Sequence, residues 1–195
     1  MLNMKVMPLG AYQTNCYILW GEGSDSCIVI DPGFEPETVL RAVKTLGKTV
    51  EAILLTHGHF DHVGAVKEIA AETECRVYLC AEDLSMPAMF TAGPLYYTDT
   101  YGEGDRLQLA GLSLRILQTP GHTQGSVCIA CEDFLFSGDT LFEGSCGRTD
   151  LPGGNYAQIL QSLKRLRTLD DCRVFPGHGP ATTLAEEKKY NPYMQ

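Results

Sequence analysis

Residues 52–66 read AILLTHGHFDHVGAV, an apolar run that ends in three histidines, His57, His59 and His62, with Asp61 between the last two. The chain has five histidines, so most of them fall in this short stretch. The run 50–56, VEAILLT, is predicted to be a short buried strand. In extended backbone, residues i and i+2 point the same way. His57 and His59 therefore aim at one point just past the end of that strand. Asp61 and His62 lie where the chain turns into a helix and aim at a second point nearby. Imidazole nitrogen and carboxylate oxygen form the donor set that suits zinc, iron or manganese. The spacing fits two metal ions better than one.

The other two histidines keep similar company. His122 sits in QTPGHTQGS and His178 in VFPGHGPA, while Asp139 sits in LFSGDTLF. Each is a ligand-type residue where an apolar run gives way to a loop, with a glycine beside it that permits a sharp turn. Taken singly, each would read as a turn or surface residue. Beside the dense cluster at 57–62 they supply the further ligands that a two-metal site needs.

The bulk composition is that of an ordinary globular chain. It has 195 residues, 44% hydrophobic and 20% charged, which suits a single domain over 1–195. No apolar run approaches the roughly 18 residues of a membrane span, so no membrane association is expected. The start, MLNMKVMPLG, lacks an apolar secretory core and a small-residue cleavage site, so a cytoplasmic location is expected. There the eight cysteines should be free thiols. Cys128 and Cys131 form a C-x-x-C, but within the strand-like run SVCIACEDFLF, and are read as packing residues. The net charge of −9 repels phosphate backbones, so nucleic acid is not an expected partner. The basic stretch LKRLRTL at 163–169 reads as the wet face of a helix.

Strands are expected at 16–20, 26–30, 50–56 and 76–80, with helices at 36–47 and from Asp61 onward, the latter carrying Val63, Val66 and Ala70 on one face. Residues 83–104, rich in methionine and tyrosine, are irregular and expected to border the site. Strands follow at 105–118, 126–131 and 133–137, then a helix at 156–169, a strand in CRVFPGHG and a helix at 184–190. This order suggests an α+β protein with two sheets between layers of helices.

The ordered residues His57, His59, Asp61, His62, His122, Asp139 and His178 resemble the ligand pattern of the metallo-β-lactamase superfamily. The resemblance runs from NCYIL and IDPG to PGHG. THGHFDHVG, TPGHTQGS and GDTLFEGSCGRTDLPGG are similar to the glyoxalase II-like hydrolases, especially the short bacterial hydroxyacylglutathione hydrolase-like ones. The resemblance implies a four-layer αββα sandwich. It implies that His57, His59 and His122 hold one divalent metal, that Asp61, His62 and His178 hold a second, and that Asp139 bridges them. Zinc comes first among the metals, with iron or manganese as alternatives. Asp31 would support the site from outside the metal shell, or be a plain turn residue. A hydroxide bridging the metals would attack a small-molecule thioester or ester, such as an S-2-hydroxyacylglutathione, with Asp61 orienting it and taking its proton. Arg148 would contact a glutathione carboxylate, its alternative being a surface pair with Asp150, and Cys146 would only pack.

Two departures bear on glutathione. Glyoxalase II has a further C-terminal helical domain, whereas 17 residues follow His178 here, and Pro180 stands where that family has a tyrosine. The alternatives within the superfamily are a mono-iron persulfide dioxygenase, using the counterparts of His57, His122 and Asp139, and a lactonase. A non-enzymatic module braced by metal fits less well, because structural zinc favours closed, cysteine-rich sites. A homo-oligomer is compatible with all of these.

Overall fold

The computed structural model describes residues 1–91 and 93–195. The first sheet contains β1 (Leu2–Leu9), β2 (Thr14–Gly21), β3 (Ser26–Ile30), β4 (Thr49–Leu54), β5 (Arg76–Cys80) and β6 (Asp99–Tyr101), side by side in that order. It is antiparallel from β1 to β3 and parallel from β3 to β6. Parallel neighbours need crossover segments. α1 (Pro36–Thr45) joins β3 to β4, α2 (Phe60–Val63) and α3 (Val66–Thr73) join β4 to β5, and the segment containing α4 (Ala88–Thr91) joins β5 to β6. Proline opens α1, where its missing N–H costs no helical hydrogen bond.

The second sheet contains β7 (Arg106–Leu109), β8 (Leu112–Gln118), β9 (Val127–Cys131), β10 (Phe134–Gly138), β13 (Arg173–Pro176) and β14 (Thr182–Thr183), with spatial order β14-β13-β10-β9-β8-β7. Between β10 and β13 lie a small hairpin, β11 (Leu141–Phe142) with β12 (Ser145–Cys146), and α5 (Tyr156–Leu166). α6 (Leu184–Tyr190) follows β14.

The strands read as continuous apolar runs because both of their faces are covered. Leu19, Ile28 and Leu54 face Leu114, Ile129 and Phe136 between the sheets. Their chain neighbours Ile18, Val29 and Ile53 turn outward onto Val39 and Val43 of α1 and Ile69 and Ala70 of α3. On the far side, Cys128, Leu135 and Val174 pack against Leu163 and Leu166 of α5 and Leu184 of α6. Each such fully buried aliphatic side chain contributes roughly 1.5–3 kcal/mol. The architecture is the expected four-layer αββα sandwich.

Three local expectations change. β1 was not anticipated; it is the edge strand of its sheet, mostly exposed, and carries Pro8, which an edge tolerates. The expected strand 105–118 is the hairpin of β7 and β8. The helix from Asp61 is two pieces, because the turn after β3 presses on it. A Cβ on Gly33 would lie 1.6 Å from the Asp61 carbonyl oxygen, one on Gly64 would lie 2.4 Å from the Gly33 carbonyl, and the Ala65 N–H donates to the Pro32 carbonyl at 3.0 Å. Cys128 faces the α5 layer while Cys131 faces the space between the sheets, so the C-x-x-C pair does not converge and both cysteines pack, as expected.

Candidate metal centre

All seven ligand-type residues meet at one edge of the sandwich. His57, His59, Asp61 and His62 follow β4 and run into α2, whereas His122 follows β8, Asp139 follows β10 directly and His178 follows β13. Donor atoms of His57, His59 and His122 lie within 4.8 Å of one another, as do those of Asp61, His62 and His178, and those of His57, His62 and Asp139. Asp139 stands between the two outer trios: its Oδ1 is 3.4 Å from His62 Nε2, and its Oδ2 is 3.5 Å from His122 Nε2 and 3.7 Å from His178 Nε2.

The outer nitrogen of four imidazoles is engaged behind the site, which assigns the tautomer. His62 Nδ1 donates to Asp31 Oδ2 at 2.9 Å. Thr56 Oγ1 donates to the same oxygen at 2.6 Å, and so accepts from His57 Nδ1 at 3.1 Å. His122 Nδ1 donates to the Arg148 carbonyl at 2.8 Å, and His178 Nδ1 to the Tyr12 carbonyl at 3.1 Å. Each of these rings thereby turns its Nε2 inward. Asp31 is buried, in left-handed backbone at φ 50, and supports both His57 and His62. It is a supporting residue of the site and not only a turn residue.

The interior of the site is polar and unsatisfied. His57 Nε2, His59 Nε2, His62 Nε2 and Asp139 Oδ1 are buried without a hydrogen-bond partner. His59 Nδ1 faces the bare Nε2 of His122 at 2.9 Å. Buried polar atoms rarely go unpartnered. Convergent lone pairs and carboxylate oxygens left in this state fit divalent cations, so the donor set can hold metal.

The two trios differ electrostatically. Burial drives His57 well below the ordinary histidine range, and burial with the His122 and His62 charges lowers His59 to about 4. Burial also opposes charge on His62, but Asp139, Asp31 and Asp61 outweigh it and push His62 up to about 9. His178 is raised as well, its burial outweighed by Asp61 and Asp139. Burial would raise the Asp61 carboxyl, yet the His178 hydrogen bond and the charges of His62 and His178 bring it down to about 2. Without metal, burial thus disfavours charge on His57 and His59, whereas the carboxylates around His62 and His178 favour it there.

Three supports have no local signature in the sequence. Asp83 is buried and accepts from the Gly58 N–H at 2.8 Å, the Gly125 N–H at 2.7 Å and Thr123 Oγ1 at 3.0 Å, tying the loop of His57 and His59 to that of His122. Asn15 Nδ2 donates to the carbonyls of Pro176 at 3.0 Å and Gly179 at 2.9 Å, bracketing His178. Tyr17 Oη donates to the same Pro176 carbonyl at 2.5 Å.

The site floors a cleft of about 450 Å³ whose rim includes Tyr12, Phe60, Phe90, Phe142 and Leu151. Arg148 reaches this rim, but its guanidinium forks onto Asp150, with Nε and Nη2 each 2.7 Å from a carboxylate oxygen. Cys146 also lines the cleft, its thiol raised by burial. Of the segment 83–104, Phe90 borders the cleft and Asp83 braces it from behind, whereas Tyr101 is buried between the sheets, its hydroxyl donating to the Leu55 carbonyl at 2.6 Å. Ala92, in the same segment, lies outside the described residues. Among the described residues, no helix is long and apolar enough to cross a membrane.

An αββα sandwich with a three-histidine trio and an Asp–His–His trio meeting at its edge is the framework of the metallo-hydrolases. The chain belongs to the metallo-β-lactamase superfamily, whose sequence profile matches residues 9–178. It is 34% identical over 209 residues to the hydroxyacylglutathione hydrolase GloC of Haemophilus influenzae, spanning 99% of this chain and 98% of that one. Among solved structures, the BLEG-1 B3 metallo-β-lactamase superposes with a TM-score of 0.88 at 34% identity, covering 100% of both chains. TTHA1623, solved in a di-iron-bound form, superposes with a TM-score of 0.84 at 40% identity, covering 97% of this chain and 99% of that one.

Proposed function

We propose that this protein is a metal-dependent hydrolase of small thioesters or esters, with S-2-hydroxyacylglutathiones among the candidate substrates. The observation that carries the reading is the pair of trios meeting at Asp139 with their inner donors unengaged on the floor of an open cleft. The similarity to a hydroxyacylglutathione hydrolase over nearly the whole chain supports the choice of ester class. His57, His59 and His122 would hold one divalent ion, Asp61, His62 and His178 a second, and Asp139 would contact both. Zinc, iron and manganese all accept this donor set. Bound there, two such ions would polarise an acyl carbonyl and bring the pKa of water near neutrality.

The chain's own groups supply the rest. Asp31, Thr56, and the carbonyls of Arg148 and Tyr12 hold four imidazoles with Nε2 inward, so no reorganisation is needed when substrate arrives. Asp61 is ionised throughout the neutral range, its Oδ2 lying 3.2 Å from His178 Nε2 and 3.4 Å from the Thr14 hydroxyl that donates to it. In that position it orients the attacking water and accepts its proton. The water oxygen bonds to the acyl carbon, the C–S bond breaks, and the departing thiolate recovers a proton, giving a carboxylic acid and a thiol.

Asp61→Asn keeps the shape but removes charge and basicity. The variant should bind its second metal more weakly and lose about a hundredfold or more in kcat for thioester hydrolysis, the usual scale for a positioned acid–base group. Metal stoichiometry and kcat are measured on one preparation, beside β-lactam and lactone substrates and oxygen uptake with glutathione persulfide. A fully loaded protein that carries one iron, consumes oxygen and tolerates Asp61→Asn would replace this reading with the dioxygenase one.

A further inference from the structure

The cleft above the metal centre is walled by aromatic rings. Tyr12 meets Phe60 edge-on, with centroids 5.3 Å apart, and stacks at 6.3 Å on Phe34 behind it. Phe142 stands edge-on to His178 at 6.4 Å, and Phe90 and Leu151 line the same opening. Among the described residues that line the cleft, Arg148 is the one lysine or arginine. Its backbone carbonyl accepts from His122 Nδ1, and its Nε and Nη2 donate to Asp150. An anionic group at the rim gives up water and meets a guanidinium whose Nε and Nη2 are already paired, which lowers what it gains there. An aryl or other apolar group gains contact area with rings already held in place.

We propose that, among the small esters and thioesters of the hydrolase reading, the cleft favours those with uncharged, apolar or aromatic substituents over the anionic glutathione thioesters, and that Asp150 sets this order by holding Arg148. The proposal rests on the hydrolase reading for what happens to the bound molecule, but not for what binds. It places a specificity-determining residue two positions beyond Arg148, whose carbonyl accepts from His122. Selectivity of this kind arises as much from denying a partner to the wrong ligand as from contacts with the right one.

Two thioethers that cannot be hydrolysed separate the possibilities: uncharged S-benzyl-N-acetylcysteamine and anionic S-benzylglutathione. Binding of each to the metal-loaded protein is measured by calorimetry, so the charge at the floor of the site is common to both. The uncharged ligand should bind at least about fivefold more tightly, and its S-methyl analogue about tenfold more weakly than the benzyl compound. Asp150→Asn should tighten S-benzylglutathione by about three- to fivefold, as expected for freeing an exposed cation, while the uncharged ligand changes by less than about twofold. Asp150→Ala should do the same. Equal or tighter binding of S-benzylglutathione to the natural protein, an unchanged ratio in both Asp150 variants, or no binding of either probe would overturn the proposal. If the uncharged probe binds preferentially but no thioester is turned over, the hydrolase reading falls and the selectivity stands.

Discussion

Replacing Asp83 by alanine tests how the two loops of the first trio are held. The side chain is buried and receives the N–H groups of Gly58 and Gly125 together with the Thr123 hydroxyl. Alanine strands both N–H groups, whereas Thr123 keeps Ser126 Oγ as a partner at 2.8 Å. Each stranded buried donor costs about 1–3 kcal/mol. A cleft of about 170 Å³ lined by Asp83 and Thr123 gives water a route to them, which holds the sum to about 2–4 kcal/mol. For a chain of this length that is a fall of roughly 5–15 °C in Tm. Asp83→Asn keeps one acceptor but turns an NH₂ toward an N–H, so it should lose about half as much. Because Gly58 separates His57 from His59 and Gly125 follows His122, the first metal equivalent should bind more weakly and the second almost unchanged. Thermal unfolding of the metal-free protein and a chelator competition give the two numbers. If Asp83→Ala unfolds within about 0.5 kcal/mol of the natural protein, Asp83 is not the tie described here.

The stability of the metal-free protein should peak near pH 6.5. His57 and His59 have lowered pKa values, so their contribution is lost as pH falls from 6.5 toward about 4; His62 is raised, so its contribution is full below 6.5 and lost as pH rises through about 9. Metal loading should remove the alkaline loss and release protons at pH 7.5, and a flat Tm between pH 6.5 and 9 without metal would contradict this. Gly33→Ala puts a Cβ 1.6 Å from the Asp61 carbonyl oxygen, so α2 must shift. Destabilisation of about 3 kcal/mol is expected by denaturant unfolding, with the metal at Asp61, His62 and His178 lost first; full occupancy of both metals would show that the contact is dispensable.

The layer order was legible because alternate residues of β2, β3, β4 and β10 are apolar on both faces, and a continuous apolar run of that length implies cover on both sides. The site was legible because its ligand-type residues are chemically conspicuous and four of them are local. What the sequence hid is non-local. Asp83 looks like any acidic residue of a turn, and its value comes from backbone groups far along the chain. The break between α2 and α3 is imposed by Gly33, although the pattern Val63, Val66, Ala70 is consistent with one unbroken helix. β1 escaped because an exposed edge strand need not alternate, and because Pro8 argues against a strand until its edge position is known. Arg148 lines the cleft, and its guanidinium makes the pair with Asp150 that the sequence allows as an alternative to a substrate contact.

The candidate ligands are shared between the two sheets: four follow β4 and three follow β8, β10 and β13. An ion held among them would therefore act as a crosslink between the halves of the sandwich. The eight cysteines are all free, so no covalent bridge does that work. Closing loops this long restricts the unfolded chain much as a disulfide does. Metal supply would then govern how long the folded protein survives as well as how fast it works, and a cell short of the ion would hold less of the protein, not merely a less active one.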